Sequence, residues 1–145
     1  MSEIRQFVDD KGLIKAKPYP DALPEAALRD RLAHWLSTNE LAKNSDVKKE
    51  YPIEGLGEKI DVLADREAWE IKREEAYGLD VYQLFAYLDM GNISKGYLLA
   101  KSFRDSAVAA ADHINNNHGK QIVLAKLENY VINQPLSEEE IAKYH

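Results

Sequence analysis

An acid, Asp61, stands in a short apolar run. Nine residues on, Glu70 and Lys72 flank Ile71 in a second such run, and Gln83 and Tyr87 follow at helical spacing. The segment from Gly57 to Tyr87 reads GEKIDVLADREAWEIKREEAYGLDVYQLFAY. Two carboxylates beside a lysine are the residue types from which a hard-cation site is built. Magnesium takes oxygen ligands, keeps several waters, and is held by one or two carboxylates plus a substrate phosphate. Such an ion neutralises phosphate charge, provides hydroxide near neutral pH and stabilises a leaving oxygen, as hydrolysis of a phosphodiester requires.

These residues must be brought together by strands and a helix. Val47–Ile53 alternates as far as Tyr51 and is closed by Pro52 and Gly55. In Lys59–Ala64, period-two alternation places Ile60 and Val62 on one face, Asp61 and Leu63 on the other. In Ala68–Lys72 it places Trp69 and Ile71 opposite Glu70 and Lys72. The link Asp65–Arg66–Glu67 is short enough for a hairpin, so Asp61 and Glu70 can share an ion. The Ile71 carbonyl can add a third ligand. Lys72 lies about 7 Å along the strand from Glu70 on the same face, placed to orient water and offset transition-state charge. Gln83 and Tyr87 share one side of a helix spanning Leu79 to Met90, which Gly91 stops. Glu25, early in a helix from about Leu23 to Leu36, is a candidate outer carboxylate.

The remaining chain supplies a scaffold. Residues 1–21 form an N-terminal arm, broken by Pro18 and Pro20, that is either loose or a short hairpin. Asp21 or Pro24 marks the start of the first helix, and Asn39 to Asp46 reads as a loop. Gly96–Ala100 is a nearly continuous apolar run, as in a strand covered on both faces. Ser102 and Asp105 are candidate caps for a helix reaching Asn116, whose Ala107–Ala111 run suits packing, including against a second subunit. Ile122–Leu127 is a further strand. Pro135 precedes a Ser137-x-x-Glu140 capping box and a terminal helix. The order is α-β-β-β-α-β-α-β-α, an α/β (α+β) fold with a central mixed sheet flanked by helices. One domain spans 22–134, and 135–145 is a C-terminal helix or tail.

The pattern Asp61 … Glu70-x-Lys72 … Gln83-x-x-x-Tyr87 on an α-β-β-β-α-β core resembles the PD-(D/E)xK nuclease superfamily, in its RecB-like or restriction-endonuclease-like branch. The resemblance covers about residues 22–101. It implies that Asp61 and Glu70 bind Mg2+ or Mn2+, that Lys72 is catalytic, and that Gln83 and Tyr87 support the site. Glu25 best matches the helix-borne glutamate of that family. Ile60 stands where the eponymous proline would be, and no helicase motor or specificity domain accompanies the motif.

Composition narrows the field. The 145 residues are 45% apolar and 30% charged, so one core-bearing domain is expected. No apolar run nears the roughly 20 residues of a membrane span, and the N-terminus is unlike a signal peptide. Cysteine is absent, which excludes disulfides, thiolate metal sites and cysteine nucleophiles and fits a cytoplasmic protein. A net charge of −6 opposes non-specific nucleic-acid binding by the whole surface. Lys48, Lys49, Arg73 and the cations from Lys95 to Arg104 are the candidates for a local basic rim.

Plainer readings stand beside these. Glu70 and Lys72 also fit a solvated Glu–Lys pair, which stabilises little. Glu25 also fits a first-turn acid favoured by the helix dipole, and Lys48 and Lys49 also fit a solvated strand end. Trp35, Trp69 and Phe85 are core candidates, whereas His34, His113, His118 and His145 show no ligand spacing. The function expected is DNA hydrolysis, alone, as a homodimer or within a larger complex. Alternatives are a non-catalytic nucleic-acid-binding or assembly module of a restriction, repair or mobile-element complex, and a dimeric junction resolvase.

Overall fold

A computed structural model describes residues 6–8, 14–16, 23–38, 46–131 and 137–144. Two short strands, β1 (Gln6–Val8) and β2 (Ile14–Ala16), pair antiparallel, so the arm contains a hairpin. Pro18, Pro20, Asp21, most of the 39–46 loop, Pro135 and His145 lie outside the described residues. A five-stranded sheet follows, in the order β3 (Val47–Ile53), β4 (Glu58–Ala64), β5 (Glu67–Ala76), β6 (Lys95–Phe103) and β7 (Gln121–Lys126). The β3–β4 and β4–β5 pairs are antiparallel; β5–β6 and β6–β7 are parallel. The sheet is therefore mixed, with β5 as the strand where its sense changes.

Helices cover both faces. Helix α1 (Glu25–Thr38) begins at Pro24, whose carbonyl accepts the amides of Ala27 and Leu28. It buries Leu28, Leu32 and Leu36 against Val62, Ala64, Trp69, Ile71 and Leu99. On the opposite face α2 (Gly78–Met90) and α3 (Asp105–Asn117) cover Ile60, Ala68, Leu98 and Ala100. Leu98 and Leu99 thus enter opposite cores, as the apolar run in β6 requires. Trp69 is buried and stacks on Tyr97 at 3.8 Å between centroids, whereas Trp35 and Phe85 are partly buried. A 3-10 turn at Leu127–Asn129 leads toward α4 (Glu138–Tyr144). Its capping box forms: Glu140 N–H donates to Ser137 Oγ, and Ser137 N–H to Glu140 Oε1. Among the described residues no helix is long and apolar enough to cross a membrane.

Local chemistry explains the boundaries. Asp65 and Arg66, at φ +53 and +71, form the β4–β5 turn. Two consecutive positive φ values match the twist of a two-residue hairpin, although neither residue is glycine. Gly91 ends α2 without a left-handed conformation: its φ is −86, and Asn92 at φ +55 takes that role. Ile93 N–H reaches Leu88 C=O and Asn92 N–H reaches Asp89 C=O, a Schellman closure. Gly91 is needed for space, since a Cβ there would meet Tyr87 O at 2.8 Å.

Two expectations are overturned. Ser102 caps nothing: it lies in β6 and its hydroxyl donates to Glu75, while α3 begins at Asp105 after Arg104. Ile60 and Val62 do not share a face; Ile60 joins the core under α2 and Val62 the core under α1. The cause lies at the pair between them. Glu50 sits at φ +52, and the β3–β4 register runs through Lys49↔Val62 and Tyr51↔Ile60 without pairing Glu50 to Asp61. Both strands rotate there, so Val47 and Tyr51 also contact different cores. Ala107, Ala110 and Ala111 are buried in this chain's own core.

Candidate active site

The β4–β5 ladder runs from Ala64↔Glu67 to Val62↔Trp69 and then stops. The next opposed residues are Asp61 and Glu70, and their side chains fill the gap. Asp61 N–H donates to Glu70 Oε1 at 2.8 Å, and Ile71 N–H donates to Asp61 Oδ2 at 2.9 Å. Each carboxylate thus takes a backbone amide where the ladder has opened, which satisfies the exposed donors. Asp61 Oδ1 and Glu70 Oε2 accept no hydrogen bond among the described residues. A strand residue's N–H and C=O leave on the same side, so the Ile71 carbonyl also turns toward this gap.

These groups line a cleft of about 250 Å³, bordered by Glu25, Glu58, Lys59, Lys72, Asp80, Gln83 and Tyr87. Burial pushes Glu70 well above the ordinary carboxylate range, the Asp61 charge pushes it further, and the Asp61 amide only partly compensates. Asp61 is raised too, by burial first and then by Glu25 and Glu50, against the Ile71 amide and Arg29. Gln83 Nε2 donates to Tyr87 Oη at 2.9 Å, the i,i+4 contact expected on one helix face. Burial and the Glu70 charge push the Tyr87 phenol up to about 12, so it stays protonated near neutral pH.

Lys72 projects beside Glu70, with its ammonium 3.2 Å from Asp80 Oδ1. Immediately beyond it, β5 carries a bulge: Lys72 pairs with Ala100, but Glu75 already pairs with Ser102. Such an extra residue bends a strand and re-aims its side chains, a common device beside functional sites. The carboxylate pair fits a hard cation. Two oxygens remain open, Ile71 lines the same cleft, and the Asp61 charge bears directly on Glu70. Among the described residues, no three His, Cys, Asp or Glu side chains form a metal-holding group. An ion here would therefore keep waters and take substrate oxygens, which suits magnesium or manganese.

Asp61, Glu70, Ile71, Lys72, Gln83, Tyr87 and Glu25 line one cleft, as the motif spacing suggests. Three expected nucleic-acid contacts do not join them. Lys49 is held by Asp30 at 2.8 Å, and Lys48 lies 3.8 Å from Asp46 and over the Tyr51 ring. Arg73 alternates to the other face, in a cavity with Leu28, Lys101, Leu127 and Val131. His34, His113 and His118 are exposed and take no part. Conversely, Asp80, Glu58 and Lys59 border the cleft without having been anticipated. Asp80 was legible in principle, because it precedes Gln83 by three residues and Tyr87 by seven on one helical stripe. No protein-family model matches the chain, and no curated protein matches it.

Proposed function

We propose that this protein is a magnesium- or manganese-dependent nuclease that hydrolyses phosphodiester bonds in DNA, of the PD-(D/E)xK type. The observation that carries this reading is the meeting of Asp61 and Glu70 across the opened β4–β5 ladder, with Lys72 alongside. Asp61, Glu70 and the Ile71 carbonyl hold the cation, which when bound supplies a Lewis acid and a water of lowered pKa. Lys72 directs its ammonium at the attacking water and offsets charge as it builds on the phosphate. Tyr87 offers a phenolic proton, and Gln83 fixes its orientation. Glu25, at the start of α1, contributes an outer carboxylate.

The test is a cleavage assay on single- and double-stranded DNA and RNA, with magnesium, with manganese and with chelator. Metal-dependent cleavage that disappears in Asp61→Ala and falls to a small but measurable rate in Lys72→Ala is expected. Wild-type protein that cuts none of these substrates, alone or with partner proteins, sinks the proposal. One observation favours a second reading, a non-catalytic nucleic-acid-binding or assembly module. Lys48 and Lys49 lie against acids, so the expected basic rim is partly neutralised. Binding in a gel shift that persists in Lys72→Ala, without cleavage by wild type, selects that reading.

A further inference from the structure

Lysine has a long flexible stem, and an ammonium left to itself samples many positions. Lys72 is about half exposed, its side chain at 47% accessibility, so packing alone does not fix its tip. Asp80 meets that tip. Its side chain is only 16% accessible and places Oδ1 3.2 Å from Lys72 Nζ. The other oxygen, Oδ2, accepts the Tyr77 amide at 2.8 Å at the start of α2. One carboxylate therefore ties the lysine of β5 to the first turn of the helix that carries Gln83 and Tyr87.

The anchorage of that turn is itself well defined. Gly78 N–H donates to Ser106 Oγ at 3.0 Å, and a Cβ at Gly78 would lie 2.9 Å from Ser106 O. The start of α2 is thus seated against the start of α3. Because the bulge follows Lys72 directly, the lysine lies where β5 departs from regular pairing with β6.

We propose that Asp80 is a positioning residue for Lys72, an assignment that rests on the nuclease reading of the cleft. It holds the ammonium over the cleft before substrate arrives, and the α2 cap holds Asp80. Pre-positioning of this kind acts on turnover, because a misplacement of about 1 Å costs roughly 100-fold. It acts against affinity if anything, since an extra negative charge repels a polyanion.

Asp80→Asn tests the idea, because the amide keeps an oxygen for the Tyr77 N–H and loses the charge that pairs with Lys72. The expected result is a kcat about 10- to 100-fold lower with KM for DNA unchanged or reduced. In a Lys72→Ala background the same substitution should change kcat less than twofold, since the group it positions is gone. A purely structural role predicts the reverse: an unaltered kcat, or equal losses in both backgrounds. Either of these overturns the assignment.

A second measurement does not depend on cleavage. Acylation of Lys72 by an amine-reactive ester, read by mass spectrometry without metal or substrate, should quicken several-fold in Asp80→Asn. Lys101, on the opposite face, should react at its wild-type rate and serves as the control. An unchanged Lys72 rate overturns the positioning role even in an enzyme that cuts DNA. Protection lost in Asp80→Asn, in a protein that cuts nothing, instead overturns the nuclease reading while showing that Asp80 holds Lys72.

Discussion

Two pairs of acids in this molecule obey opposite electrostatics. On α1 and α4, Asp30 and Glu140 face cations. Arg31 donates twice to Glu140, at 2.9 and 2.7 Å, and Asp30 accepts from Lys49, Lys143 and Tyr144. The Arg31 hydrogen bonds hold Glu140 down at about 2, against a smaller upward push from burial. For Asp30 partial burial works upward, yet its three donors outweigh it and the carboxyl lies well below the usual range. Asp61 and Glu70 face each other instead, and both are pushed up. The first pair clasps the C-terminal helix, which buries no residue of its own, to α1. The second pair stabilises nothing by its charge. Acids matched with cations account for structure, whereas acids that repel each other in a cleft call for a partner from outside.

The sharpest way to break this contrast is to neutralise one acid from each pair. Glu70→Gln should lower cleavage about 1,000-fold, since several kcal/mol of transition-state stabilisation pass through its oxygens. The same variant should melt higher, by roughly 3 °C for each kcal/mol of repulsion relieved. Glu140→Gln should do the opposite, keeping cleavage and losing about 1 kcal/mol of stability, because the pair is partly solvated. A Glu70→Gln variant that melts lower than wild type would mean that its charge is already matched within the fold.

Cation addition comes next in size. Manganese at about 100 times its dissociation constant should stabilise the wild type by about 2.7 kcal/mol. Asp61→Asn should lose most of that gain in a thermal-shift titration, and Glu140→Gln should retain it. Equal shifts in all three proteins would separate the ion from the cleft.

The smallest effect is on pH, and its sign differs between the regions. Asp61 and Glu70 have folded values above their unfolded ones, so the folded chain keeps protons that the unfolded chain releases. Their contribution is intact below about pH 4 and is lost as pH rises through the folded values of the pair. Asp30 and Glu140 have folded values below their unfolded ones. Their contribution is full above the ordinary carboxylate range and fades as pH falls toward about 2 for Glu140. In metal-free urea unfolding, Glu70→Gln should therefore flatten the loss on the alkaline side, and Glu140→Gln the loss on the acid side.

Much of this was legible in the residues. Apolar alternation located β3 to β5, and apolar runs located β6 and β7, to within a few residues, because half-buried strands need the first pattern and strands covered on both faces the second. Asp61, Glu70, Lys72, Gln83 and Tyr87 were legible as one group because strand and helix periods turn them to one side. The face switch at Glu50 and Asp61 was not legible, since a positive φ at glutamate leaves no mark in composition. The hairpin at Asp65–Arg66 was legible from the shortness of the link, but its two positive φ values were not, because neither residue is the glycine or asparagine that such turns favour. Ser102 misled because a hydroxyl near a helix start is a common cap, and here Glu75 on the neighbouring strand claimed it. The pairing of Lys49 was not legible for a long-range reason: Asp30, nineteen residues before it, reaches it only in the fold.

The outer strand β3 carries a consequence of its own. Among the described residues it pairs only with β4, so its other side is a sheet edge. Along that edge stand Lys48, Lys49, Glu50 at positive φ, and Pro52, which has no amide hydrogen to offer. A second extended chain approaching this border would meet charged side chains, a local rotation of the backbone and a missing donor. Those features guard a sheet against growing from molecule to molecule. The rotation opposite Asp61 thus also leaves this border a poor template for aggregation.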